Sequence, residues 1–433
     1  SCPKFHDRFW LVFLSDGGGC IRVFVRAVMA PGNLKKVLVL NAGSSSLKFK
    51  LFVRSKGLSL SLESHGVAER IGELKSALSF SDASGKQKNL SNQLGDHEEA
   101  LRTIFKELNL SASDLYAVGH RVTHGKDKVY KASRITPEVK KIIADTTPLA
   151  PLHNPVNLLG IESAEALLRC QVPQVAVFDT AFHHSIPPEA YLYAVPLKDT
   201  AERLSVRKYG YHGSSYAFLL NRATDYFPKP KEKLNLIICH LGAGASMACI
   251  KHGKCFDTTM GMTPLEGLCM STRSGDIDPG AVLFLVNKLG LDKTDLLLNK
   301  LSGLYGLSGF KDMREVLENV KKGDRGSELA LRVFVGRVRK YLGAYMVNLN
   351  GRLDGVVFSA GIGEHAPSVR KRICEGLEGF GKELSPTRNL TTKDGEISTS
   401  KSRVKVLVLP TDEERQIAME TVSVIDGLAD GRR

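Results

Sequence analysis

The most informative segment for the fold is VLVLNAGSSSLKFKLF, residues 37–52. Its first four residues are all apolar, which is typical of a strand covered on both faces in the middle of a sheet. The polar turn NAGSSS, residues 41–46, follows, and apolar and polar residues then alternate from Leu47 to Phe52. This alternation has the period of a strand. The stretch therefore predicts a hairpin of two strands joined by a polar turn.

The same order recurs about 200 residues later. An apolar strand over 234–239 leads into the glycine-rich turn HLGAGAS, residues 240–246, and a second strand follows over 247–250. Gly43 and Ser46 fall opposite Ala243 and Ser246 at this offset. Two halves that begin alike suggest a duplicated α/β domain with a cleft between its copies.

Size and charge exclude several classes of protein. A chain of 433 residues suggests about two domains, and 42% hydrophobic and 24% charged residues indicate a globular protein. No apolar run approaches the ~20 residues of a membrane span. The net charge of +14 comes from scattered Lys and Arg, without a basic stripe. This favours an enzyme for anionic substrates over a nucleic-acid-binding protein.

The eight cysteines form no Cys-x-x-Cys pair, which predicts a reducing compartment rather than a zinc site or a disulfide framework. Residues 1–34 differ from the rest: they have few acids and several Arg but little Ser, and they include Met29. We expect this extension to lie outside the fold. The predicted location is the cytoplasm, or an organelle matrix if the extension is a transit peptide.

Both hairpin turns could bind phosphate. In residues 41–48, backbone N–H groups and serine hydroxyls converge on one turn, and Lys48 adds positive charge. This is not a P-loop, because no helix follows the glycine. A lone turn of this kind would more simply be a polar hairpin. The second copy at 240–246 favours a clamp on the phosphates of a nucleotide.

Charged residues stand at the ends of predicted strands. Arg121 follows the strand 117–120 and could hold a carboxylate or a phosphate, although a surface Arg is the simpler alternative. Arg273 lies in the loop MSTRSGDIDP, residues 270–279. Asp179 follows the buried strand 175–178, where α/β active sites form. Its alternative role is to cap the next turn.

Three further segments allow two interpretations each. His212 precedes a predicted helix cap at Ser214 and would lie at a phosphate-binding helix N-terminus, or be a buried structural histidine. Residues 411–414, TDEE, could hold Mg²⁺ or favour a helix dipole. The Gly-Ile-Gly of residues 361–363 could approach a nucleotide or form a plain turn.

Taken together, these motifs resemble the acetokinase family of acetate kinases, from about Val37 to the C-terminal helix. The resemblance rests on motifs that occur in family order: NAGSSSLK (41–48), PLAPLHNP (148–155), FDTAFH (178–183), TPLEG (263–267) and TRSGDIDP (272–279). It implies the duplicated, ribonuclease H-like fold of the sugar-kinase, heat-shock and actin ATPase superfamily. It also implies a homodimer that converts ATP and acetate to ADP and acetyl phosphate, with Mg²⁺ or possibly Mn²⁺ as cofactor.

The resemblance further implies the domain boundaries. The N-terminal domain would cover residues 36–179, with the C-terminal helix 415–433 packing back on it. The C-terminal, nucleotide-binding domain would cover residues 180–414.

The resemblance also assigns roles to residues. Arg121 and Arg273 would hold acetate and the transferring phosphoryl group, Asp179 would position the reactants, and His153 and His212 would stabilise the phosphoryl group in flight. Asn41 and Glu413 would support the metal. The nucleotide and its phosphates would contact Ser44, Ser46, Lys48, His240, Gly242, Ala243, Gly244, Asp312, Met313, Arg314, Gly361, Ile362, Gly363, Glu364 and His365.

This chain departs from the family pattern at four positions, which affects the expected nucleotide affinity and turnover more than the reaction class. Ala243, His365 and Asp412 each replace a usual Asn, and Tyr216 replaces a usual His. Propionate or butyrate kinase is the nearest alternative, because one methylene changes binding by only ~1–3 kcal/mol. A nucleotide-binding switch protein is the alternative from another class. It has no carboxylate to hold, so the presence of both Arg121 and Arg273 argues against it.

Overall fold

Two β-sheets with helices packed against them form the protein. The structure, a computed structural model, describes residues 35–55, 59–82, 84–91, 93–151 and 153–427. The extension predicted over 1–34, and the compartment that depends on it, lie outside these residues, as do positions 428–433 of the predicted C-terminal helix. Within the described part of the chain, no helix is long and apolar enough to cross a membrane.

The strands of the first sheet are β1 Lys36–Gly43, β2 Ser46–Arg54, β3 Leu60–Glu69, β4 Ala77–Ser81, β5 Gln87–Ser91, β6 Leu115–Val122, β7 Ser133–Arg134 and β8 Gln174–Phe178. The strands of the second sheet are β9 Leu236–Leu241, β10 Ala245–Lys251, β11 Lys254–Thr258, β12 Gly355–Ser359, β13 Gly395–Glu396 and β14 Lys405–Val408.

The helices are α1 His97–Glu107, α2 Pro137–Asp145, α3 Asn154–Leu168, α4 Pro188–Tyr191, α5 Gly213–Ala223, α6 Pro279–Leu289, α7 Leu291–Lys300, α8 Gly303–Ser308, α9 Met313–Lys321, α10 Arg325–Asn348, α11 Ala360–His365, α12 Pro367–Cys374, α13 Pro386–Thr391 and α14 Glu413–Ile425.

The two sheets share one topology, which confirms the predicted duplication. The first contains the order β3-β2-β1-β6-β8 and the second the order β11-β10-β9-β12-β14. In each, three antiparallel strands are followed by two parallel ones. The carboxyl ends of the parallel strands gather at one edge of each sheet, which is where α/β proteins place their ligands.

Both predicted hairpins form, and their turns differ by one residue. In the first, Gly43 pairs with Ser46 across a two-residue turn. In the second, Leu241 pairs with Ala245 across the turn 242–244. The Nδ2 of Asn157 donates to the carbonyl of Ala42, which ties the first turn to α3.

The C-terminal helix α14 packs on the first sheet. Its buried residues Ile417, Ala418 and Val422 share one apolar cluster with Val37 and Val175. The chain therefore returns to its first half after β14, and this return places Glu413, the first residue of α14, close to the ends of β6 and β8.

Candidate active site

An ion pair lies where two parallel strands of the first sheet end. The Nη2 of Arg121, on β6, lies 2.9 Å from the Oδ2 of Asp179, which directly follows β8. The same oxygen accepts a 2.9 Å bond from the backbone N–H of His212. Asp179 is fully buried, and its negative charge raises the pKa of Arg121. Asp179 therefore fixes the guanidinium and the start of α5 at the same time.

Polar atoms without partners surround this pair. Among the described residues, the buried side-chain atoms that make no hydrogen bond include Arg121 Nε, Thr123 Oγ1, Asp179 Oδ1 and Thr180 Oγ1. Buried polar atoms are normally satisfied, so a cluster of orphaned ones points to a missing ligand, ion or water.

Two histidines stack face to face beside the pair. The rings of His212 and His240 lie 4.2 Å apart between centroids. The Nδ1 of His212 lies 2.8 Å from the Oγ of Ser246, and the Nδ1 of His240 lies 2.8 Å from the Oγ of Ser215. Burial lowers the pKa of His240 to about 4, and burial together with His240 lowers that of His212 well below its usual value. Both rings are therefore neutral at pH 7.

His212 is itself the residue before α5, with a left-handed φ of +60°, and the predicted cap at Ser214 is wrong. The left-handed backbone turns the chain so that the N–H of His212 reaches Asp179. Ser214 falls inside the first turn of the helix instead, and its hydroxyl is buried without a partner among the described residues.

Arg273 approaches the histidines from the second half of the chain. Its Nη1 contacts the carbonyl of Pro264 at 3.5 Å, and it forms no ion pair with any described carboxylate. Burial lowers its pKa. A methyl group placed on Gly244 would lie 3.5 Å from the Nε2 of His212 and 3.6 Å from the Nη1 of Arg273. The two nitrogen atoms thus converge on one point above the glycine turn.

His153 lies at the mouth of the same region, just before α3. Partial burial lowers its pKa, and the positive charges of Arg121 and Arg273 lower it further. Because the charges of both arginines affect its pKa, His153 lies near Arg121 of the first half and Arg273 of the second.

A cavity of about 740 Å³ extends from the glycine turn into the second half. It includes many of the residues predicted to bind nucleotide, which are Gly242, Ala243, Gly244, Asp312, Met313, Arg314, Gly361, Ile362 and His365. Arg273, Lys300, Lys311 and Arg314 supply positive charge around it, while Asp312 is engaged by Arg314. The cavity suits a polyanionic ligand.

The Gly-Ile-Gly segment does not form the expected turn, because residues 360–365 form the short helix α11. Arg370 donates to the carbonyls of both Gly363 and Glu364 at 2.8 Å. The carboxylate of Glu364 accepts a 2.8 Å bond from the N–H of Ala360. Glu364 and Arg370 therefore support α11, and Gly361 and Ile362 of this helix face the cavity.

Four predicted site residues, Asn41, Ser44, Ser46 and Lys48, belong to the first hairpin. Ser44 lies in the exposed turn, Ser46 opens β2, and Asn41 pairs in register with Lys48. Their contacts with a nucleotide stay predictions.

A divalent cation fits two carboxylates near this hairpin. Burial and the neighbouring charge of Asp179 raise the pKa of Glu413 to about 7, and the Oδ1 of Asp179 has no partner among the described residues. A cation would relieve the repulsion between the two groups. Within the described residues no set of three or more His, Cys, Asp or Glu could hold a metal alone. Substrate phosphates and water would have to complete the coordination, as is usual for Mg²⁺.

Sequence reasoning missed several residues of the site. Lys300 and Lys311 belong to no recognisable motif; Lys300 is the last residue of α7, Lys311 lies between α8 and α9, and both line the cavity. Ser246 had a detectable signal, since it pairs in register with His240 on a buried strand. A hydroxyl on a fully apolar strand calls for a polar partner.

These features define an enzyme with two related α/β halves, whose positively charged cavity beside a glycine-rich turn suits phosphoryl chemistry. The model of the acetokinase family matches residues 36–419. The chain is 45% identical over 405 residues to the acetate kinase of Thermotoga maritima, covering 90% of this chain and 99% of that protein. The chain therefore belongs to the acetokinase family and is a kinase, for which the family implies ATP and a divalent metal.

Solved structures agree with this assignment. The crystal structure of Porphyromonas gingivalis acetate kinase superposes with a TM-score of 0.85 at 39% identity, covering 90% of this chain and 100% of that one. A propionate kinase from Francisella tularensis gives a TM-score of 0.83 at 36% identity, covering 89% and 99%.

Proposed function

We propose that this protein phosphorylates acetate reversibly with ATP and Mg²⁺, giving acetyl phosphate by direct in-line transfer. The observation that carries the proposal is the convergence of His212 and Arg273 above Gly244, with the Arg121–Asp179 pair beside them. A nucleotide in the adjoining cavity would present its terminal phosphate to this point. Acetate is proposed as the acceptor because the relatives are named acetate kinase.

The chemistry needs charge and alignment more than proton transfer. A carboxylate is already ionised at pH 7, so it attacks the γ-phosphoryl group without a general base. Phosphoryl transfer passes through a loose transition state that spreads negative charge over the equatorial oxygens. Arg273 and the neutral ring of His212 would donate hydrogen bonds to these oxygens, and Arg121 would orient the acetate carboxylate.

A divalent cation would be held by Asp179 and Glu413, with Asn41 as a further oxygen ligand. When bound, it would neutralise charge on the β- and γ-phosphates. Asp179 also orients Arg121 and the N–H of His212, whatever the metal.

Propionate remains the second candidate acceptor, because the structurally similar Francisella protein is a propionate kinase. The difference is one methylene, which a pocket distinguishes by only ~1–3 kcal/mol.

The test combines purified protein, ATP and Mg²⁺ with formate, acetate, propionate or butyrate, and traps acyl phosphate with hydroxylamine. We expect most hydroxamate from acetate and much less from formate or butyrate. Omission of ATP is the control. The proposal would be refuted if none of the four acids gave ATP-dependent hydroxamate.

We also propose a homodimer that buries the outer face of α6 and α7. Leu283, Phe284 and Leu291 are each more than 60% exposed on this face. Large neighbouring apolar side chains on a surface usually mark an interface.

A further inference from the structure

A chain of hydroxyl groups reaches His212 from the interior. The Oγ of Ser246 lies 2.8 Å from the Nδ1 of His212. On its other side it forms a short hydrogen bond with the phenol oxygen of Tyr216. Ser246 and Tyr216 are fully buried. Tyr216 is also the position where the family pattern has a histidine.

Only one orientation of these hydrogen bonds gives both hydroxyl protons an acceptor. Among the described residues, the Tyr216 hydroxyl has Ser246 as its one hydrogen-bonding partner, so it must donate to Ser246 or bury its proton unpaired. A buried donor without an acceptor is costly. If Tyr216 donates, the serine hydroxyl turns its own proton to the Nδ1 of His212.

The other end of the ring faces the reaction. Once Nδ1 accepts a bond from Ser246, the single proton of a neutral imidazole must sit on Nε2. This is the nitrogen that lies beside the Nη1 of Arg273 above Gly244. The ring is then uncharged, because an Nδ1 that accepts a hydrogen bond carries no proton.

We propose that Tyr216 and Ser246 are positioning residues that lock His212 as the neutral Nε2–H tautomer, a fixed hydrogen-bond donor aimed at the phosphoryl oxygens. Without this lock, the proton could move to Nδ1 and leave Nε2 as an acceptor, which repels phosphate oxygens. The kinetic part of this proposal rests on the proposed function, whereas the tautomer does not.

Neutron diffraction on ligand-free crystals of the full chain in D₂O tests the tautomer directly. We expect deuterium on the Nε2 of His212 and none on Nδ1, with the Ser246 deuterium directed at Nδ1. Deuterium on Nδ1 would overturn the proposal, whether or not the protein proves active on acetate.

Kinetics of matched variants test the consequence. We expect Tyr216→Phe to lower kcat about 10-fold and Ser246→Ala somewhat more, which is less than the ~10²–10³-fold that loss of a whole transition-state donor costs, with KM for ATP and acetate nearly unchanged. Tyr216→His should have a higher kcat than Tyr216→Phe, since an imidazole N–H can also donate to Ser246.

Tyr345→Phe is the control, because Tyr345 is equally buried and its hydroxyl has no partner among the described residues. Its kcat should match that of the unsubstituted protein. A Tyr216→Phe protein that behaves like Tyr345→Phe, or that changes only KM, would refute the role in catalysis. If Tyr216→Phe fails to fold, Ser246→Ala and the neutron map decide.

Discussion

Arg121 and Arg273 carry the same charge in different surroundings. Arg121 is held by Asp179, which raises its pKa, while Arg273 is desolvated without an ion-pair partner among the described residues, which lowers its pKa. An arginine that already has a carboxylate partner is suited to orienting a substrate. One without a carboxylate partner can direct its positive charge at the charge that develops during transfer.

We therefore expect Arg121→Ala and Arg273→Ala each to lower kcat/KM by at least ~10²-fold, and Arg273→Ala to have the larger effect on kcat. Steady-state kinetics with acetate and ATP measure both. Arg102→Ala is the control, since Arg102 is exposed and paired with Glu98 on α1. Near-normal kinetics in either cleft variant would make that arginine a structural residue.

Ala243 and His365, two of the four departures from the family pattern, both border the cavity of about 740 Å³. An Asn at 243 could donate an amide proton to a phosphate oxygen, and Ala cannot. A bond to a charged acceptor contributes ~1.5–3 kcal/mol, so its absence could lower ATP affinity or kcat by ~10- to 100-fold. The exposed imidazole of His365 could replace this donor.

We expect Ala243→Asn to lower KM for ATP or raise kcat, and His365→Asn to do harm that Ala243→Asn partly repairs. A double-mutant cycle on kcat/KM for ATP measures the coupling. Strictly additive effects, with no gain from Asn at 243, would show that the two departures are independent.

At the scale of elements, strong patterns in the sequence predicted the structure well. The hairpin strands and the parallel strands β6 and β8 all lie within a few residues of their predicted positions. Continuous apolar runs are reliable here because these central strands are buried on both sides.

Weak patterns failed for physical reasons. The strand β5 is largely exposed along its length, so its residues carry no alternation to detect. It is held by pairing with β4, which is a tertiary effect. The left-handed backbone at His212 and the helical form of Gly361 to Gly363 likewise depend on contacts with Asp179 and Arg370. The first contact joins residues 33 apart in the chain, and the second joins α11 to the following helix α12, seven residues on.

The face formed by α6 and α7 gives a prediction of its own. A charge at Phe284, which is 61% exposed, should break an apolar dimer interface. We expect the unsubstituted protein to sediment as a dimer and Phe284→Lys as a monomer. Leu329→Lys is the matched control on α10, because Leu329 is 50% exposed on another helix. A monomeric parent, or a dimer that survives Phe284→Lys, would contradict this interface.

At the scale of the whole molecule, buried neutral histidines make the fold sensitive to acid. Burial lowers the pKa of His120, His124 and His183 to about 4 in each case. The unfolded chain protonates them near pH 6.5, so the unfolded state binds more protons between pH 6.5 and 4. Their stabilising effect is complete above pH 6.5 and is lost as the pH falls through this window.

We expect the free energy of unfolding to fall steeply from pH 6.5 to 4, by up to ~1.4 kcal/mol per pH unit for each histidine. His120→Asn should reduce this slope by the contribution of one histidine, because one fewer proton is taken up on unfolding. This holds whatever the substitution does to stability at pH 7. Urea denaturation at several pH values measures the slope. Equal slopes in both proteins would show that His120 is not neutral in the folded state.

In the proposed reaction, ATP and a carboxylate meet in the cleft and the phosphoryl group is transferred in one step. The most direct test uses ATP with a chiral, isotopically labelled γ-phosphoryl group and determines the configuration at phosphorus in the acetyl phosphate formed. A single in-line displacement predicts inversion. Retention would require a phosphorylated protein intermediate, for instance on His212 or His240, and would contradict the account.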